Sequence, residues 1–204
     1  ALKRIEVGHY NPDEMIKTNV HGAMNVIEAA RHQPSVRDVV FLSSDKAYQP
    51  ISAYGLTKAL AECLFSAARE AAYAGPRYRI VRYGNVAGST GSVIPAWRAA
   101  MAKGQDICIN DPDATRFWMT IQGAVEVVLC ALEDTNGGLL FVPMELAAYR
   151  LGDLAEAMGV TTPIMRNMPP LEKMHETLTA GIGSDTARRM TVEELKCSLE
   201  KILM

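Results

Sequence analysis

Ser43-Ser44-Asp45-Lys46-Ala47, followed by Tyr54-Gly55-Leu56-Thr57-Lys58, places a hydroxyl, an acid, an amine and a Tyr-x-x-x-Lys pair within about sixteen residues. A phenol that titrates near pH ~10 is a poor base at neutral pH, and an ammonium beside it favours the phenolate. Tyr54 and Lys58 stand four residues apart, so on a helix both side chains lie on one face. Such a phenol can exchange a proton with a substrate hydroxyl while hydride leaves the same carbon.

The flanking sequence supplies a scaffold for these groups. Arg37 to Leu42 is a β-branched, apolar run that reads as a buried parallel strand, with Ser44 to Lys46 at its carboxyl end. That edge is where open α/β sheets put their ligands. Upstream, Pro12 and Asp13 open a helix with an apolar face of Met15, Ile16, Val20, Ala23, Val26, Ile27 and Ala30. Downstream, the pattern predicts a helix from about Tyr54 to Ala74, a turn at Gly75-Pro76 and a strand from Tyr78 to Arg82. A third cycle has a helix over Val93 to Ala102 and a strand over Ile107 to Ile109. Alternation of this kind implies parallel βαβ units. Further helices are expected over Thr120 to Glu133 and Leu151 to Met158, with a strand over Leu139 to Val142 between them. A terminal helix over Thr191 to Leu203 carries Thr191 as cap and Glu194 at the capping-box position. Phe117 and Trp118 read as core.

Composition bounds the function classes. A chain of 204 residues with 21 basic and 23 acidic side chains buries one substantial core and has no charge footprint for nucleic acid or an anionic membrane. Cys63, Cys108, Cys130 and Cys197 are scattered, and His9, His21, His32 and His175 have no metal-ligand spacing, so reduced thiols and no metal are expected. The apolar stretch Ala124 to Leu132 contains Glu126 and is far shorter than the ~20 residues a membrane span needs. Without a signal pattern, the default location is cytoplasmic.

The order of motifs resembles the extended short-chain dehydrogenase/reductases, and within them the inverting UDP-N-acetylglucosamine 4,6-dehydratases of polysaccharide biosynthesis. The resemblance is carried by Tyr10-Asn11-Pro12, Lys17-Thr18-Asn19-Val20, Ser44-Asp45-Lys46-Ala47 and Tyr54-Gly55-Leu56-Thr57-Lys58. It continues through Arg82-Tyr83-Gly84-Asn85-Val86, Gly91-Ser92-Val93-Ile94-Pro95, Thr115-Arg116-Phe117-Trp118 and Glu172-Lys173-Met174-His175-Glu176. It implies an α/β fold: the carboxyl-terminal part of a Rossmann-type doubly wound parallel sheet with a small α/β substrate-binding subdomain. A partial NAD(P)-binding domain over 1–145 would carry interleaved substrate-binding segments, and 146–204 would form a substrate-binding and helical region.

The resemblance also implies roles. Tyr54 would take the C4 hydroxyl proton, Ser44 would bond the C4 oxygen, and Lys58 would hold the cofactor ribose and lower the Tyr54 pKa. Lys46 would remove the C5 proton and Asp45 would protonate the departing C6 hydroxyl. Lys3, Asn19 and Gly84 would join Tyr54 and Lys58 at the cofactor, NADP with NAD as the alternative. Lys46, Asn85, Val93, Arg116 and Glu172 would meet a UDP-linked N-acetylhexosamine, in a homo-oligomeric enzyme. Two departures are visible: Pro169-Pro170-Leu171 stands where the family has Arg-Pro-Gly, and Thr90 where close relatives carry arginine. Gly88-Ser89-Thr90-Gly91 comes after a late strand and reads as an ordinary loop. The strand, Gly-rich turn and helix that open a complete dinucleotide fold are not in the sequence, and a first half on the order of 80 residues is expected upstream. The competing readings are a UDP-sugar 4-epimerase of the same fold, which has no need of Asp45 and Lys46 as acid and base, and a non-catalytic sugar-nucleotide-binding or interaction fragment.

Overall fold

The structure, a computed structural model, describes residues 1–72 and 75–202. It divides into two compact units, Ala1–Tyr83 with Gln122–Pro143, and Gly84–Ile121 with Met144–Met204.

In the first unit, α1 (Ile5–Tyr10) and α2 (Pro12–Ile16) lead through a π-helical turn (Lys17–His21) into α3 (Gly22–Arg31). Then come β1 (Asp38–Leu42), a 3-10 turn (Asp45–Ala47), α4 (Ala53–Ala71) and β2 (Arg77–Val81). The strands β1, β2 and β5 (Leu140–Phe141) form one parallel sheet in that order, with Leu42 opposite Val81 and Val81 opposite Phe141. The helix α6 (Ile121–Glu133) precedes β5. The parallel βαβ units that the alternation implies are present, in the doubly wound Rossmann-type α/β arrangement that the resemblance implies. Its core joins Ala23, Ile27 and Ala30 of α3, Ala61, Phe65 and Ala68 of α4, and Tyr78 and Ile80 of β2. Alanines facing inward bring the helices close, and the Phe65 ring stacks on Phe41 at 4.8 Å between centroids.

The expected single helix after Pro12 is interrupted. A π turn inserts an extra residue, so the side-chain phase of α2 no longer matches that of α3. Asn19 and Val20 therefore point inward together, while Ile16 is 44% exposed. Val26 lies at the margin of the Ala23-Ile27-Ala30 stripe and is exposed as well. The expected helix end at Ala74 falls outside the described residues.

The second unit holds α5 (Val93–Ala102), β3 (Cys108–Ile109), β4 (Thr115–Trp118), β6 (Ala147–Arg150), α7 (Leu151–Ala157), β7 (Ile164–Met165), β8 (Thr177–Thr179), β9 (Ile182–Gly183) and α8 (Val192–Lys201). β4 pairs antiparallel with β6, and Trp118 meets Tyr149 edge-on at 5.6 Å. Both rings join Ile94, Trp97, Leu154, Leu195 and Leu199 in one core. Phe117 and Trp118 are thus core, as their sequence setting predicts. The third βαβ cycle is corrected: β3 pairs with β7 rather than extending the main sheet. Two-residue strands carry no periodic signal, so nothing in the sequence distinguished their partner. Thr191 caps α8, and both hydrogen bonds of its box with Glu194 are formed. Leu203, the expected end of that helix, falls outside the described residues. Among the described residues no helix is long and apolar enough to cross a membrane.

Candidate active site

The chain stays extended after β1, with Ser44 at φ −155° and ψ 154°. Successive side chains on an extended strand point to opposite sides, and here the two serines part company. Ser43 donates to Glu62, whereas Ser44 donates to Asp45 Oδ1 at 2.7 Å. The Ser44 hydroxyl also accepts the Lys46 backbone N–H, capping the 3-10 turn at 3.2 Å. That turn buries Asp45 to 2% exposure and brings Lys46 Nζ to 3.3 Å from Asp45 Oδ1. The other oxygen, Asp45 Oδ2, is buried without a hydrogen-bond partner among the described residues.

Tyr54 reaches this cluster because α4 starts against the turn. Ser52 caps α4 by accepting the Gly55 N–H at 3.2 Å. A Cβ on Gly55 would lie 2.3 Å from the Lys46 carbonyl oxygen, so this position requires glycine for close approach. Burial pushes the Tyr54 phenol above its ordinary pKa; the Ser44 hydroxyl and the Lys46 charge pull it down, and Asp45 and Tyr83 push it further up. Lys58 takes another direction. Its ammonium donates to the Leu42 carbonyl at 2.5 Å and lies 4.2 Å from the centroid of the Phe41 ring. Burial lowers its pKa to about 8, against the opposing charge of Glu62. The cation that lowers the phenol is therefore Lys46 and not Lys58, a correction to the expectation from the Tyr-x-x-x-Lys spacing.

Asn19 works inside the protein. Its side chain accepts the Leu2 N–H at 2.7 Å, donates to the Leu2 carbonyl at 2.9 Å and donates to Thr57 Oγ1 at 3.1 Å. The amide so pins the segment leading to exposed Lys3 onto the helix that carries Tyr54 and Lys58.

In the second unit, Gly84 packs on Phe117, where a Cβ would come within 2.7 Å of the Phe117 Cβ. Asn85 is next in the chain, its Oδ1 buried and without a partner among the described residues. Val93 is the first residue of α5, whose cap residue Ser92 makes no side-chain capping bond. Arg116, 5% exposed on β4, donates to the carbonyls of Thr115 and Met174 and pairs with Glu172 at 2.8 Å. Asn110 holds the second Glu172 oxygen at 2.8 Å. The structure thus joins Arg116 and Glu172 to each other.

Three features escaped the sequence reading. One is the approach at Gly55. Another is the clamp of Glu62 with Ser43 and Arg82, for which the only signal was the spacing of four from Lys58 on one helix. The last is a buried hydroxyl network in which Thr115 Oγ1 meets His175 Nδ1 at 2.8 Å and Ser184 Oγ at 2.6 Å.

Residues 1–193 match the family described as Polysaccharide biosynthesis protein. The chain belongs to that family. The UDP-N-acetylglucosamine 4,6-dehydratase (inverting) of Campylobacter jejuni is 40% identical over 188 residues, 91% of this chain and 55% of the relative. The UDP-glucose 4-epimerase of Rickettsia rickettsii is 43% identical over 143 residues, 70% of this chain and 42% of that protein. Among solved structures, the X-ray structure of Pen from Bacillus thuringiensis superposes with a TM-score of 0.89 at 32% identity, covering 98% of this chain and 73% of that one. The chain spans about half the length of the curated relatives it matches.

Proposed function

We propose that the chain belongs to an NAD(P)-dependent nucleotide-sugar 4,6-dehydratase that inverts C5 of a UDP-linked N-acetylhexosamine for polysaccharide or glycan precursor synthesis. One observation carries the reading: Ser44, Asp45 and Lys46 surround the Tyr54 phenol, and a buried Asp45 oxygen is left without a protein partner among the described residues. A hydroxyl-to-ketone step needs only a phenol, a hydroxyl and a hydride carrier. An acid and an amine beside them suit a second event, loss of the C6 hydroxyl after removal of the C5 proton.

The residues present fit the ribose end of a nicotinamide cofactor. The Lys58 ammonium donates to the Leu42 carbonyl at the carboxyl end of β1, the sheet edge at which dinucleotides bind. When bound, the nicotinamide supplies hydride acceptance and return. Tyr54 takes the C4 hydroxyl proton, and Ser44 bonds the C4 oxygen. The resulting ketone acidifies C5; with the proton between Asp45 and Lys46 shifted onto Asp45, the free Lys46 amine removes the C5 proton and the Asp45 carboxylic acid protonates the leaving C6 oxygen. Reprotonation of C5 from the opposite face gives a 4-keto-6-deoxy sugar with C5 inverted.

Asn85 and Val93 are assigned to the sugar-nucleotide diphosphate. Support comes from the uncapped first turn of α5, whose N–H groups suit an anion, and from buried Asn85 Oδ1 and Ser92 Oγ, which lack partners among the described residues. Arg116 and Glu172 are assigned to the same substrate, with the pair between them opening on binding. In this reading 1–145 carries the cofactor side with interleaved substrate segments, and 146–204 completes the substrate side. NADP is the preferred cofactor and the cytoplasm the site of action. Homo-oligomerisation draws support from Leu56 and Leu60, both half or more exposed on α4.

A second reading, a UDP-sugar 4-epimerase, draws on the 43% identity to the Rickettsia rickettsii protein. Incubating the whole protein with UDP-N-acetylglucosamine in D2O separates the two. A dehydratase yields a 4-keto-6-deoxy sugar with deuterium at C5 in the NMR spectrum. A 4-epimer with no solvent deuterium at C5 sinks the dehydratase.

A further inference from the structure

Behind the proton-handling cluster lies a second set of charges that the reaction does not use. Glu62 stands one helical turn beyond Lys58 on α4 and is almost enclosed, its side chain 12% exposed. It accepts three bonds: from the Ser43 hydroxyl, from Arg82 Nε at 2.9 Å, and from an Arg82 terminal nitrogen on its other oxygen. Arg82 is itself 8% exposed and comes directly after β2, as Ser43 comes directly after β1. One carboxylate therefore bolts α4 to the carboxyl ends of two adjacent strands. Leu42, whose carbonyl receives the Lys58 ammonium, is the residue next to Ser43.

We propose that Glu62 is a positioning residue of this site: clamped by Ser43 and Arg82, it fixes the depth of Lys58 at the end of β1 and sets a buried carboxylate one helical turn from its amine. The inference rests on the reading of Tyr54 and Lys58 as the proton- and cofactor-handling pair. The charged groups around Lys58 are Glu62 on its own helix, Arg82 after β2, and Asp45 and Lys46 on the turn against which α4 packs; Glu62 is the one that raises its pKa. A purely structural clamp would hold the helix without governing the amine.

The test tracks the Lys58 side-chain amine by NMR of the 15N-lysine-labelled whole protein through a pH titration without substrate. Lys58→Arg assigns the signal. Glu62→Gln removes the carboxylate charge, and Arg82→Gln alone removes only the cation beside it. The Lys58 titration midpoint is expected to fall in Glu62→Gln, by up to about tenfold in the ionisation constant, and to hold or rise in Arg82→Gln. An unchanged midpoint in folded Glu62→Gln overturns the proposal. Should that variant unfold by circular dichroism, Ser43→Ala removes a single donor to Glu62. A smaller fall then supports the clamp, and an unchanged midpoint overturns it. Turnover is measured in parallel: a kcat about tenfold lower with KM for the sugar nucleotide within about twofold is expected. Absence of turnover in the wild-type protein sinks the dehydratase reading, while the titration still decides the role of Glu62.

Discussion

Two buried charge clusters in this protein behave differently. In the Arg116 cluster each charge faces an opposite one: guanidinium, Glu172, Asn110 and two backbone carbonyls exchange hydrogen bonds, and buried Glu176 stands 3.8 Å from Arg116 Nε. The Asp45 cluster is left open, for Ser44 and Lys46 crowd one carboxylate oxygen while the other, buried, has no partner among the described residues. Buried polar groups are ordinarily satisfied, and an unsatisfied one carries a desolvation cost of about 1–3 kcal/mol. A closed cluster is explained by stability. An open cluster at the end of a parallel strand is the arrangement that the proposed reaction asks for.

The comparison predicts opposite phenotypes. The largest effect is expected at the open cluster. Tyr54→Phe and Lys46→Met should each reduce formation of the 4-keto-6-deoxy product by about 10³-fold or more, with thermal stability little changed. Tyr54→Phe that still exchanges deuterium into C5 at the wild-type rate would show that C4 oxidation is not the entry step.

Gly55→Ala tests how the open cluster is assembled. Its methyl would collide with the Lys46 carbonyl, so α4 and the 3-10 turn must separate. Overpacking of this kind costs about 1–3 kcal/mol, and turnover should fall by more than stability does. Equal turnover in the folded variant would mean that the turn need not touch the helix.

Glu172→Gln probes the closed cluster. It leaves Arg116 with the more distant Glu176 as its counter-charge, at a cost of about 1–3 kcal/mol, read as a lower midpoint in urea unfolding. Because Glu172 is also assigned to substrate, KM should rise as well. Lost stability with unchanged KM would remove Glu172 from the binding site.

Lys58 adds a pH dependence with a definite sign. Its amine titrates near 10.5 when unfolded and at about 8 when folded, so between these values the unfolded chain binds more protons and stability rises with pH. Tyr54, raised by burial, holds its proton longer in the folded state, and so stability falls again as pH climbs past its unfolded value of 10.0. Urea unfolding from about pH 8 to about pH 10 should show the rise, and Lys58→Met should flatten it. The smallest effect is at the α8 cap, where Thr191→Ala should cost about 1 kcal/mol and leave turnover intact.

Much of the molecule was legible because the signals are local. The helix over Val93 to Ala102, the strand after Arg37 and the box of Thr191 with Glu194 come from periodicity and capping chemistry within a few residues. The π turn at Lys17–His21 was not legible, since the apolar spacing on either side of it reads as one continuous helix. The β3–β7 and β4–β6 pairings were equally hidden, because they join short segments from distant parts of the chain.

By itself the sequence determined the chemical inventory: which residues carry a phenol, an acid, an amine and a hydroxyl, and that one strand end and the helix after it present them together. Only the tertiary structure decided how each is used. Lys58 turns to the Leu42 carbonyl, Lys46 acts on the Tyr54 phenol, and Asn19 ties down Leu2. Arg116 meets Glu172 across 56 positions of sequence. Residue type and spacing fix what a side chain is able to donate or accept, but its partner depends on burial and on groups brought near by packing, which local sequence does not encode.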